Sequence, residues 1–179
     1  GVKSLTPEES ENLTLGVGAK VNENIDVTFD YYNIFIADRI VISNRVASGT
    51  NSLEFFTNSI DTRTTGVDLV ADYKTTDLGP GTLALSLAAN VNISNEREGV
   101  IPKVKGTSVI DSTREAVFFK SRPSEKFILG ATYEMEKIVV SLNNTYFGST
   151  QFKQAGMDPN LKTVFDPAIV TDLAVTYDL

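Results

Sequence analysis

Two aspartates four residues apart, Asp68 and Asp72, and two asparagines two apart, Asn90 and Asn92, are the first residues whose types and spacing suggest chemistry. Side chains of an extended chain alternate between faces, so each pair lies on one face of a strand. Paired carboxylates can share general acid and base work, but that work needs a partner that hands on a proton near neutral pH. This chain has neither His nor Cys. The commonest general base and metal ligand are therefore missing, and so are thiol nucleophiles, thiolate zinc sites and disulfides. A second group is cationic. Arg97, Lys103, Lys105, Arg114, Lys120, Arg122 and Lys126 set seven cations against five acids over 95–126, in a chain of 179 residues and net charge −7. Such a stretch suits an anionic ligand, or is simply a solvated loop. Asp68, Asp72 and Asn90, with Arg97, Arg114 and Arg122, are the candidate ligand-contacting residues. No catalytic residue, metal site or cofactor is expected.

Other motifs carry less. Gly79-Pro80-Gly81 makes a tight reversal, Pro fixing its own φ and the glycines allowing positive φ. It is no phosphate-binding loop, because no Lys and Ser/Thr follow at the required spacing before a helix. The acids do not assemble a calcium loop, and the acidic balance argues against a nucleic-acid partner. Asn12 and Asn92 fit the glycosylation pattern but fall inside expected strands.

The elements that must position these residues are strands. From Leu13 to Val21 the odd positions read Leu, Leu, Val, Ala, Val, and from Leu83 to Ile93 they read Leu, Leu, Leu, Ala, Val, Ile, with small or polar residues between. Similar alternation runs through Val67–Tyr73, Phe127–Met135 and Leu173–Leu179. Seven strands are predicted near 13–21, 25–42, 55–74, 82–94, 126–136, 138–148 and 169–178. Short connections at Asn22–Asn24, Thr76–Gly81 and Glu136-Lys137 alternate with long ones near 43–54, 95–125 and 149–168. An antiparallel meander then gathers every tight turn at one end of the sheet and every long loop at the other. In 25–42 the apolar phase switches from Ile25, Val27, Phe29, Tyr31 to Tyr32, Ile34, Ile36, which a bulge near Tyr31-Tyr32 would explain. Thr6-Pro7-Glu8-Glu9 could open one helical turn; no longer helix is expected.

The strands are long. The clean alternations run nine and eleven residues, about what a tilted strand needs to cross a bilayer. No apolar run approaches the roughly 20 residues of a membrane helix, and the opening Gly1–Asn12 has no leader-like apolar stretch. Aromatics fit two girdles, with Phe29, Tyr73, Tyr133 and Tyr177 towards the turn end and Phe127 and Tyr146 towards the loop end, although aromatics also pair across ordinary strands. The alternative is a soluble all-β binding or adhesion module without catalytic activity. Against it, the odd positions of 83–93 hold no polar residue where a sandwich would meet water.

Particular residues go further. Leu5-Thr-Pro-Glu-Glu-Ser-Glu-Asn-Leu-Thr-Leu-Gly16, then Asp26-Val-Thr-Phe-Asp-Tyr-Tyr-Asn-Ile-Phe-Ile-Ala-Asp-Arg-Ile40, and then the Gly66-Val-Asp68 that follows Phe56-Thr-Asn, resemble in order and spacing the late barrel strands of TonB-dependent outer-membrane receptors. The likeness is specific over 1–74 and rests on strand rhythm over 75–179. It implies an all-β fold in which 1–179 is one segment of a 22-stranded transmembrane barrel. It also implies a bacterial outer-membrane location and energy-coupled import of a scarce nutrient such as a ferric siderophore or similar metal chelate. Implied partners are outer-membrane lipid, an N-terminal plug domain, an inner-membrane energy-transducing protein and the small-molecule chelate. Plug, energy-coupling box and terminal aromatic strand are not in this stretch. The expectation is therefore an interior cut of the barrel that transports nothing alone and self-associates through its sheet edges.

Overall fold

A computed structural model describes residues 4–154 and 161–179. Seven strands form one sheet: β1 (Glu9–Asn22), β2 (Ile25–Ile42), β5 (Phe56–Leu78), β6 (Gly81–Glu98), β9 (Glu125–Met135), β10 (Ile138–Phe147) and β13 (Ala168–Tyr177). Each pairs antiparallel with its chain neighbours, in the order β1-β2-β5-β6-β9-β10-β13. The meander and all seven strands follow the sequence pattern. Three small hairpins decorate the loop end: β3 (Val46–Ser48) with β4 (Asn51–Leu53), β7 (Lys103–Val104) with β8 (Thr107–Ser108), and β11 (Thr150–Phe152) with β12 (Thr163–Phe165).

Register turns the alternation into two surfaces. One row crosses all seven strands as Val17, Phe29, Leu69, Ala89, Phe127, Tyr146 and Ile169. One residue away on the opposite face runs Gly16, Asp30, Asp68, Asn90, Lys126 and Phe147. The sheet thus has an apolar face and a mostly polar face, the division that alternating strands impose when both sides are lined differently. The apolar face is bare in this chain: Leu13, Leu15, Val17, Ile169, Leu173 and Val175 are 54–68% exposed. Each such side chain would gain about 1.5–3 kcal/mol on leaving water.

The tight turns sit where expected, after β1, β5 and β9. Gly79 takes the positive φ of +70° that its turn requires. Gly81 does not; it is glycine because a Cβ would press on the Tyr133 ring and lie 2.5 Å from the Glu134 carbonyl. Tyr73, Tyr133 and Tyr177 pair with Ile25, Leu83 and Ile138 near this end. Phe127 and Tyr146 stack 5.6 Å apart towards the loops, and Phe29, expected with the turn-end aromatics, shares their cross-strand row instead.

Three expectations fail. No bulge lies at Tyr31-Tyr32, which pair in unbroken register with Val67 and Gly66. The extra residue in β2 comes later, between Ile36 and Arg39, where Asp38 adopts φ +53°. A further irregularity falls at the Thr65/Gly66 step, opposite Ile93 of β6. The apolar phase switches at Ile34 and Ile36 without any bulge; both stay partly exposed on the polar face and line a cleft beside α1. Nor does Thr6–Glu8 form a helical turn; Glu9 already belongs to β1, and the approach is tied to its neighbours instead. Asn58 exchanges hydrogen bonds with the Thr6 backbone at 2.9 Å, and the Ile40 amide donates to Glu8 Oε1 at 2.6 Å.

The third is the expectation of no longer helix, since α1 (Ser112–Phe119) forms inside the longest loop. Asp111 caps it, its carboxylate accepting from the Arg114 amide at 2.8 Å, and Glu115 stands in the first turn where the helix dipole favours an acid. Around it gathers the small buried core: Val41, Ile60, Val109 and Ile110, each 1–3% exposed, with Phe118 and Phe119 packed against them. Among the described residues, the chain's buried apolar cluster sits at this loop end, not along the strands.

Candidate functional site

The polar face is built residue by residue from register. Asp30, Asp68 and Asn90 stand in one row on β2, β5 and β6. Asn90 Nδ2 donates to Asp68 Oδ1 at 2.7 Å and to the Tyr32 hydroxyl at 3.2 Å, and that hydroxyl donates to Asn92 Oδ1 at 2.6 Å. Tyr32 can reach because Gly66 leaves its place empty; a Cβ there would overlap the phenol and lie 2.6 Å from the Val91 carbonyl. Asp72 lies in another row, between Asp26 and Ser86 and near neither of the other two candidates. Asp68 and Asn90 are therefore brought together, and Asp72 is set apart on the same face.

The three arginines have different surroundings. Arg114 on α1 bridges to Glu54 at 3.0 Å and to Asp111 at 3.7 Å, tying the β7–β8 loop to the one ahead of β5. Arg97, turned to the polar face beyond the Ile93 irregularity, pairs with Glu115 of α1 at 3.7 Å and donates to the Gly99 carbonyl. Both mainly fasten the loop. Arg122 is exposed and lines a cleft of about 550 Å³ between α1 and the polar face of β2, β5 and β6. A second cleft of about 420 Å³ beyond α1 is lined by Arg97, Lys120, Lys153 and Lys162 among others.

Sequence reasoning passed over Tyr32, Arg39, Ile34, Ile36 and Phe118. Arg39 reaches Thr62 Oγ1 at 3.3 Å and lies 5.5 Å over the Phe118 ring, a cation–π contact that seats α1 on the sheet. The phase switch at Ile34 and Ile36 is the available signal, and it marks the lining of a cleft, not a bulge. Chemically the arrangement offers hydrogen bonds, positive charge and apolar floor. Among the described residues no group of three or more acids could hold a metal ion.

A long-stranded antiparallel wall with one apolar face, one polar face, tight turns at one end and folded loops at the other defines a segment of outer-membrane-type β-barrel. Over residues 1–179 the chain matches the TonB dependent receptor-like, beta-barrel family, and it belongs to that family, one of receptors and not of enzymes. Among curated proteins, none matches this chain significantly. Among solved structures, it is similar to the FrpB iron transporter from Neisseria meningitidis (F3-3 variant), with a TM-score of 0.65 and 12% identity over 96% of this chain. The chain spans 24% of the length of that structure, and the likeness shows the shared fold.

Proposed function

We propose that this chain is part of the wall of a bacterial outer-membrane receptor that imports a scarce nutrient, a ferric siderophore or similar metal chelate, by energy relayed from the inner membrane. The observation that carries the reading is the seven-strand apolar row, Val17 to Ile169, directly behind a polar row that contains Asp30, Asp68 and Asn90. Lipid would cover the first and a plug domain or wet lumen the second. The wall alone would move nothing; a complete 22-stranded barrel, its plug and an inner-membrane energy-transducing protein would complete the machine. Arg97, Arg114, Arg122, Asp68, Asp72 and Asn90 remain the proposed contacts to substrate or plug, Arg122 and Asp72 being the exposed ones least engaged by the chain itself. The iron transporter that shares the fold makes iron the first nutrient to test.

The test is uptake. Deleting the gene that encodes this chain should abolish accumulation of at least one radiolabelled ferric siderophore by iron-starved cells. A plasmid copy should restore it, and collapsing the proton gradient should abolish it again. Uptake that is unchanged across a broad panel of ferric chelates would contradict the proposal.

A further inference from the structure

Asn144 and Thr171 stand on the apolar face. Register sets them opposite one another on β10 and β13, in the row that continues through Leu129, Leu87, Ala71 and Val27. Their neighbours on that face are Leu142 and Tyr146 on β10 and Leu173 and Ile169 on β13. Apart from tyrosine hydroxyls at the ends, they are the polar residues on this face of the two strands, Ile138–Tyr146 and Ile169–Tyr177. They sit one row inside Tyr146, whose ring stacks on Phe127. Two residues of tilted strand place them about 5 Å deeper than that aromatic row. The Thr171 hydroxyl donates to Asn144 Oδ1 at 2.6 Å. A carboxamide offers two N–H donors and two lone pairs. Thr171 meets one of these four, and among the described residues Asn144 has no other hydrogen-bond partner. The strand that would follow β13 in a closed barrel lies about 10 Å from β10, two strand spacings, with Thr171 between. Hydrocarbon offers the remaining groups nothing, and an unmet amide within it is unfavourable.

We infer that the intact receptor pairs with a second copy of itself in the membrane plane, through the apolar face of β10 and β13. Asn144 of one copy meets Asn144 of the other. A carboxamide is self-complementary, each N–H finding the other's oxygen, which is what a twofold axis at that point requires. Around it Leu129, Leu142, Ile169 and Leu173 are 39–68% exposed and uncharged, so two copies close together without burying a charge. Lipid tails would cover the same leucines but leave the amide unanswered. An unrelated protein would need a matching polar group at that depth; a second copy brings one by symmetry. The inference rests on the apolar face being the lipid-facing wall proposed above.

The test is energy transfer between copies of the intact receptor in phosphatidylcholine liposomes, with any thiol elsewhere replaced by serine. Donor and acceptor dyes are attached at Lys137→Cys, in the exposed β9–β10 turn. Transfer that saturates with protein density as a dimer is expected. Asn144→Leu should weaken the pairing by about tenfold or more, the effect of a hydrogen bond between membrane-embedded segments. Leucine suits a lipid-facing place, so this variant should fold as well as the parent. Asn143→Leu, whose neighbour across the strands is Asp172 on the opposite face, should leave pairing unchanged. Transfer no greater than random crowding gives, or equal pairing by Asn144→Leu, overturns the inference, including the case in which a lipid group answers the amide. Leu87→Cys as the sole thiol separates the two ideas. Rapid labelling of it by a charged maleimide overturns the lipid-facing wall, whereas a protected thiol without transfer overturns the dimer alone.

Discussion

Leu87 and Ala88 are neighbours in β6 with opposite duties. Leu87 pairs with Ala71 and Leu129 on the apolar face, and Ala88 with Val70 and Ile128 on the other. A lysine at Leu87 must put its ammonium into hydrocarbon and should cost the assembled barrel about 2–4 kcal/mol. A lysine at Ala88 should cost much less; urea titration of the two variants folded into lipid vesicles compares them, and equal losses would refute the face assignment. Gly66 provides a second residue-scale test. Alanine there collides with the Tyr32 ring and lies 2.6 Å from the Val91 carbonyl, which belongs to the neighbouring strand's backbone and cannot swing away. Gly66→Ala should destabilise by about 1–3 kcal/mol, the usual range for overpacking. In the same assay Tyr32→Phe combined with it should recover only part of the loss, because the hydroxyl, the ring's Cζ and the Val91 carbonyl all crowd the added Cβ.

Elements were legible where a single period governs them. The 25–42 strand keeps its expected bounds despite its change of phase and β10 ends one residue early, whereas β1, β5 and β6 each run four residues past an expected end. What the period could not show is where a third element covers the polar face. Ile34 and Ile36 line a cleft together with residues of α1, about 80 residues further along the chain, a neighbourhood that no local period can reveal. α1 itself is eight residues long, too short to build a clear helical period. Asp111, its cap, was the one local signal and was not used. The ionic links escaped for the same reason, since Arg114 meets Glu54 sixty positions away. The candidate site was half legible: Asp68 and Asn90 share a row as their parity implies, but Tyr32 joins them only through the glycine opposite. Asp111→Ala should remove about 1 kcal/mol from α1. Amide hydrogen exchange in Ser112–Phe119 should then speed up while exchange in β6 and β9 stays slow. Unchanged protection across α1 would show that packing, not the cap, holds the helix.

At the scale of the whole sheet, β1 and β13 each pair on one side only among the described residues. Every residue of both strands is exposed. Free edges of that length invite strand addition, and an uncovered apolar face of this extent invites association. Net charge −7 opposes clumping but does not replace lipid. The isolated 179-residue chain should therefore sediment without detergent as concentration-dependent oligomers. A single monomer that unfolds cooperatively would mean it had closed a core of its own. The central claim is that one face of this sheet meets lipid and the other does not, and because this segment has no cysteine each thiol introduced into it reports a single place once any thiol elsewhere in the receptor is replaced by serine. Spin labels placed one at a time from Leu83 to Asn92, in the receptor reconstituted in a bilayer, should show accessibility to oxygen that alternates with period two. Maxima are expected at Leu83, Leu85, Leu87, Ala89 and Val91, with a polar nickel chelate giving the opposite phase. Uniform accessibility along the strand, or maxima at Ser86, Ala88 and Asn90, would contradict the account.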